Sequence, residues 1–150
     1  MRYSVWAGRA ALLGLGLLAL GCGSKGSRVK GKVLLDGQPL ADANVIFWPK
    51  HDLELGTYRG KTGPDGTFEM KGRDDSVVKP GDYVALVSRE VKTKDGTVPR
   101  PDDDREELAV PGALRNTLPP KYNDRDKPLF TATVHAGDNE LAPFALKSKP

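Results

Sequence analysis

Apolar and polar residues alternate with a period of two along most of this chain, the signature of half-buried strands. Val29, Gly31, Val33 and Leu35 fall on one face and Lys30 and Lys32 on the other. Asp36-Gly37 follows at once and supplies the positive φ angles that a type I′ hairpin link requires. Val45, Ile46, Phe47 and Trp48 form a β-branched and aromatic run that ends at Pro49, which lacks a ladder donor.

Leu55 to Thr62 predicts a third strand with Tyr58 as its anchor, and Gly63-Pro64-Asp65-Gly66 predicts a turn. Thr67 to Lys71 places Phe68 and Met70 on one side. Asp82 to Arg89 is apolar on both faces, through Tyr83, Ala85 and Val87 and through Val84 and Leu86, as in a central strand. Leu129 to Ala136 alternates again, with Phe130, Ala132 and Val134 on one face. A turn at Gly137 to Glu140 leads to a closing strand from Leu141 to Leu146, with Ala142, Phe144 and Leu146 facing in and Pro143 at an edge or bulge.

The pattern fails between Glu90 and Lys121. That stretch reads as a long polar excursion, with Asp102 capping a short helix through Arg105 to Ala109 that Pro111-Gly112 stops. Leu118 to Tyr122 should be extended and re-enter the fold with Tyr122 packed down. Seven short strands with regular turn signals and little helix predict an all-β fold, a seven-stranded antiparallel β-sandwich.

The first 21 residues change the picture. Arg2 and Arg9 precede an apolar run from Ala10 to Leu20, about half the ~20 residues needed to span a bilayer, so the segment reads as a signal peptide. Removing it takes two of the 23 basic residues and none of the 20 acidic ones, leaving residues 22–150 near +1. The alkaline isoelectric point thus owes much to the leader and supports no nucleic-acid partner. Cys22 is the only cysteine, so no disulfide forms within the chain.

Leu18-Ala19-Leu20-Gly21-Cys22 resembles the bacterial lipobox. That resemblance implies cleavage between Gly21 and Cys22, a diacylglyceryl group on the Cys22 thiol and an acyl chain, such as palmitate, on the new amine. Ala19 stands where Leu is commoner. Two or three acyl chains anchor a protein stably, where one binds only marginally. Gly23 to Ser27 then reads as a flexible linker after the lipidated cysteine. Gly23, rather than Asp, after the cysteine resembles the outer-membrane form of the sorting signal.

The ordered phrases of the domain resemble the carboxypeptidase regulatory-like, or transthyretin-like, β-sandwich of small bacterial lipoproteins. They are Val29 to Val33 with Asp36 to Leu40, Ala43 to Phe47, Thr62 to Phe68, Pro80 to Val84, Leu118 to Tyr122 and Val134 to Asn139. The resemblance implies a β-sandwich without enzyme activity, generally a folding, adhesion or binding module; with the failed pattern at 90–121 as a long loop, one domain is expected over residues 28–147. The expected role is a structural or protein-interaction module of the cell envelope, held to the membrane by its lipid and without a cofactor, with an unidentified envelope protein as partner; a glycan-binding module is the alternative.

Candidate chemistry is sparse. An enzymatic relative of that fold, the hydrolase of 5-hydroxyisourate, uses histidines, an arginine and a terminal Tyr-Arg-Gly-Ser. Here Tyr58-Arg59-Gly60 is followed by Lys61 and lies inside a strand. His51 and His135 have no second His or Cys at ligand spacing, so no metal site is expected. Asp102, Asp103 and Asp104 point in different directions and lack a calcium-loop context. Ser76, Ser88 and Ser148 sit in no nucleophile elbow, and Gly60 to Gly66 lacks phosphate-loop spacing. Trp48 and Tyr58 are the candidate ligand platform, because flat aromatic rings stack on the apolar faces of sugars; ordinary packing is the competing reading.

Overall fold

The computed structural model describes residues 27–72 and 76–149. The expected signal peptide, the lipobox-like stretch and Cys22 lie outside the described residues. The fold is all-β; the described residues add one short α-helix and two single-turn 3-10 helices.

Strand β1 (Arg28–Leu35) is the axis of a five-stranded sheet. Asp36 and Gly37 have φ of 51° and 83°, so the chain reverses in two residues and β2 (Gln38–Pro39) pairs back on Leu34 and Leu35. β3 (Asn44–Pro49) and β4 (Tyr58–Lys61) form an antiparallel pair, linked through a 3-10 turn at Leu53–Leu55. The turn at 63–66 closes with Gly66 N–H donating to Gly63 C=O at 2.9 Å and delivers β5 (Thr67–Glu69) to β1. β6 (Gly81–Ser88) runs through the centre of the second sheet between β3 and β9 (Phe130–Val134), in the order β4-β3-β6-β9. Every residue from Tyr83 to Ser88 is buried, as the two-sided apolar pattern predicts for a central strand.

The two sheets share one core. Val29, Val33, Phe68, Phe144 and Leu146 come from the first sheet, and Val45, Phe47, Tyr83, Ala85, Val87, Ala132 and Val134 from the second. Phe130 and Phe144, one from each sheet, bring their ring centroids to 5.0 Å. Gly31 is where it is because of Phe68: a Cβ there would meet the ring's Cζ at 2.5 Å.

Several expectations are corrected. The described residues form eleven short strands rather than seven, because the pattern undercounts strands of two or three residues. The first sheet is mixed rather than antiparallel: β10 (Asp138–Glu140) and β11 (Phe144–Leu146) both run parallel to β1. Residues 138–140 are therefore strand, not turn, and Pro143 falls in the break between β10 and β11. Ala142 is exposed there, whereas Phe144 and Leu146 face in.

The excursion is also more ordered than its composition suggests. β7 (Glu90–Lys92) and β8 (Leu114–Asn116) form a two-stranded ribbon, tied to the end of β6 by Arg89 N–H on Asn116 Oδ1 and Thr117 N–H on Arg89 C=O. The helix α1 (Arg105–Ala109) is capped by Asp104, not Asp102; its carboxylate accepts from Glu106 N–H at 2.8 Å. Residues 120–123 make a 3-10 turn instead of an extended segment, although Tyr122 is buried as expected. Its hydroxyl accepts from Lys147 N–H at 2.8 Å and its ring stacks on Phe130.

Candidate functional site

Register decides the fate of the aromatic pair. Phe47 and Tyr58 face each other across β3 and β4, so Tyr58 shares the inner face with Phe47 while Trp48 points to the outer one. Tyr58 is buried at 5% exposure, its ring edge-on to Tyr83. Its hydroxyl donates to Leu55 C=O at 2.8 Å and accepts from Lys79 N–H at 3.0 Å. Trp48 is half-buried and carries the Arg125 guanidinium 4.6 Å from its ring centroid. The two residues thus do not form one surface. What the sequence offered as a platform is a core brace and, on the opposite face, a tryptophan covered by an arginine.

Several buried or half-buried polar groups serve the scaffold in the same manner. Tyr83 donates to Lys79 C=O at 2.8 Å, and burial, with the neighbouring Tyr58 second, pushes its phenol above the ordinary range, so it stays neutral. Thr62 Oγ1 accepts from Ala43 N–H at 2.8 Å and donates to Leu40 C=O, clasping the loop between β2 and β3. The Asn139 side chain accepts from His135 N–H and donates to the His135 and Gly137 carbonyls. None of these groups was singled out by the sequence pattern. Turn-flanking Thr and Asn were the only signal, and that signal does not distinguish a brace from a ligand.

The titratable residues are scattered over the surface. His51 lies exposed in the connection after β3, and His135 is exposed just beyond β9. Arg59 is exposed on β4, bridged through its backbone to Lys71. Asp103 accepts from Arg100 N–H at 2.7 Å and pairs with Lys92 at 3.0 Å; these two contacts, in that order, hold its carboxyl below the usual range. The same pair raises Lys92, which also lies 3.7 Å from Asp95. Asp65 and Asp95 are each lowered by the hydroxyl, then the N–H, of the threonine two residues on. Of the sequence candidates for calcium, Asp103 and Asp104 are thus engaged in an ion pair and a helix cap. Among the described residues no three His, Cys, Asp or Glu side chains come close enough to share a metal ion.

A shallow groove of about 640 Å³ runs across β5, β1 and the β10–β11 break, with Lys30, Lys32, Glu69, Glu140 and Pro143 on its walls. Lys30 stands in register with Glu69 on one neighbour and Glu140 on the other. Opposite charges therefore alternate across the strands, an arrangement that supports the sheet more than it selects one sign of ligand. No protein-family model matches the chain, and no curated protein matches its sequence.

Proposed function

We propose that this chain is an exported, lipid-anchored, non-catalytic module of the cell envelope, held to a membrane through Cys22. Its domain is a transthyretin-like β-sandwich of the carboxypeptidase regulatory-like kind, acting in protein interaction or as a structural element, with the outer membrane as the favoured site. The observation that carries the reading is the abruptness of the change after Cys22. A basic start, an apolar run and Gly21-Cys22 are followed within five residues by Ser27, already hydrogen-bonded into the fold through Val78. The core shared by a five-stranded and a four-stranded sheet supports the sandwich. The use of buried Tyr58, Thr62 and Tyr83 as backbone braces supports a scaffold role over a catalytic one.

The test is expression of wild type and Cys22→Ser with a fatty-acid label, followed by membrane fractionation and in-cell crosslinking with mass spectrometry. The reading expects label and membrane retention that vanish in Cys22→Ser, with one dominant crosslinked partner that needs the anchor. Wild type without label, or a Cys22→Ser protein that stays in the membrane, overturns the anchor. Recovery of glycan, or of no protein above the control, overturns the protein-interaction role.

A further inference from the structure

The end of the domain at which the chain enters also carries Leu53, the most exposed large apolar side chain among the described residues. Ser27 and Val78 form an antiparallel bridge, with Ser27 N–H donating to Val78 C=O at 2.9 Å and Val78 N–H to Ser27 C=O at 3.2 Å. Val77, next to that bridge, is 53% exposed. The 3-10 turn at Leu53–Leu55 is laced to the following residues: Lys79 Nζ donates to Glu54 C=O at 2.9 Å, and the Tyr58 hydroxyl joins Leu55 C=O to Lys79 N–H. Leu55 packs over Gly81, and Leu53 projects from the same turn at 76% exposure. Leu53 and Val77 therefore stand at the end where β1 begins.

We infer that this end of the domain is the membrane-contacting face, with Leu53 and Val77 seated in the lipid headgroup–acyl boundary. The inference rests on the anchored reading above. Five residue steps separate Cys22 from Ser27, so a fully extended tether reaches at most roughly 18 Å. The eight residues of β1 extend roughly 26 Å from this end to the other. The tether is thus too short to let the far end, with Asp36, Lys94 and the β7–β8 ribbon, face the bilayer. End-on and side-on postures remain. Of the four exposed large apolar side chains among the described residues, Leu53 and Val77 stand at this end, whereas Val110 follows α1 beside the ribbon and Leu129 precedes β9, so the end with two of them selects the first posture.

Charge does not compete with this choice. Among the described residues at this end, Arg28, Lys50, Arg59, Lys71 and Lys79 stand against Asp52, Glu54, Asp82 and Asp138, a near balance, so apolar insertion rather than attraction to anionic lipid sets the posture.

Because Cys22 is the only native cysteine and is occupied by lipid in the anchored protein, single cysteines elsewhere accept a fluorophore selectively. The experiment places the probe at Glu54→Cys, Ser76→Cys or Lys94→Cys in the full lipidated chain, keeping Leu53 and Val77. The protein is reconstituted in phosphatidylethanolamine–phosphatidylglycerol vesicles containing nitroxide-labelled phosphatidylcholine. Insertion to about 5–10 Å predicts quenching at 54 and 76 at least roughly threefold greater than at 94, and its loss when Leu53→Asp and Val77→Asp are added. Equal quenching at all three positions, stronger quenching at 94, or quenching that ignores the two aspartates overturns the inference while the vesicles still float the protein. A chain that carries no diacyl mass and does not float overturns the anchored reading, and this inference with it.

Discussion

Phe68 lies across Gly31 on the neighbouring strand, so close that a Cβ at 31 would stand 2.5 Å from the ring's Cζ and 2.8 Å from Cε1. The glycine is a packing requirement, since the strand there needs no unusual backbone angle. Gly31→Ala should destabilise the domain by about 1–3 kcal/mol through overpacking. Urea denaturation measures this, and Phe68→Leu in the same chain should cost less in the Gly31→Ala background than alone. Additive losses would show that the two positions do not share the space.

Thr62 supplies one hydroxyl to two buried backbone groups, Ala43 N–H and Leu40 C=O. Thr62→Val keeps the shape but leaves both backbone groups unpaired, an expected loss of about 1–3 kcal/mol, whereas Thr62→Ser should recover most of it. Equal stability of the valine and serine variants would refute the brace.

Ser27 presents the opposite case: its hydroxyl is buried with no hydrogen-bond partner among the described residues. Ser27→Ala should therefore be neutral or stabilise by up to about 1 kcal/mol in the same denaturation experiment. A clear loss would mean that the hydroxyl has a partner.

The Arg125 guanidinium over Trp48 is worth about 0.5–1 kcal/mol at an exposed site. Its spectroscopic effect is easier to read. In a chain starting at residue 22, Trp48 is the sole tryptophan, so Arg125→Ala should shift its emission to the red and raise its quenching by iodide. An unchanged spectrum would place the guanidinium elsewhere in solution.

The Lys92–Asp103 pair gives the ribbon a pH window. Asp103 sits below its ordinary value of 3.8, so its stabilisation is complete above that value and is lost as pH falls through the lower folded one. Lys92 sits above 10.5, so its share is present below that value and is lost as pH rises through the higher folded one. Amide exchange in residues 90–92 and 114–116 should be slowest relative to the core between these limits and should accelerate outside them. In Asp103→Asn the acid limb should weaken.

Sequence pattern carried the long elements well and the short ones poorly. The alternation around Val29 to Leu35, the Asp36-Gly37 link and the apolar run in β6 were legible because each depends on its own residues. The ribbon of β7 and β8 was not, since Glu90 to Lys92 and Leu114 to Asn116 hold few large apolar groups and are ordered by each other and by Arg89. Asp104 rather than Asp102 caps α1 because three adjacent aspartates are equivalent in sequence and only backbone geometry separates them. The same limit applied to Trp48 and Tyr58. Their composition suggested a platform, but the β3–β4 register set them on opposite faces.

The parallel pairing of β1 with β10 and β11 separates when each strand is made from when it is completed. Leu34 and Leu35 meet β2 within a few residues of emerging, yet Val33 to Leu35 also wait for Phe144 to Leu146. One hydrogen bond of this closure, from Asn139 Nδ2 to Arg28 C=O, spans 111 residues. Until the last strands leave the ribosome, the first sheet has an open flank along its axis, and its half of the core stays wet. Completion of the fold is accordingly governed by its last strands, and a nascent chain stalled short of Phe144 should remain sensitive to protease however long it waits.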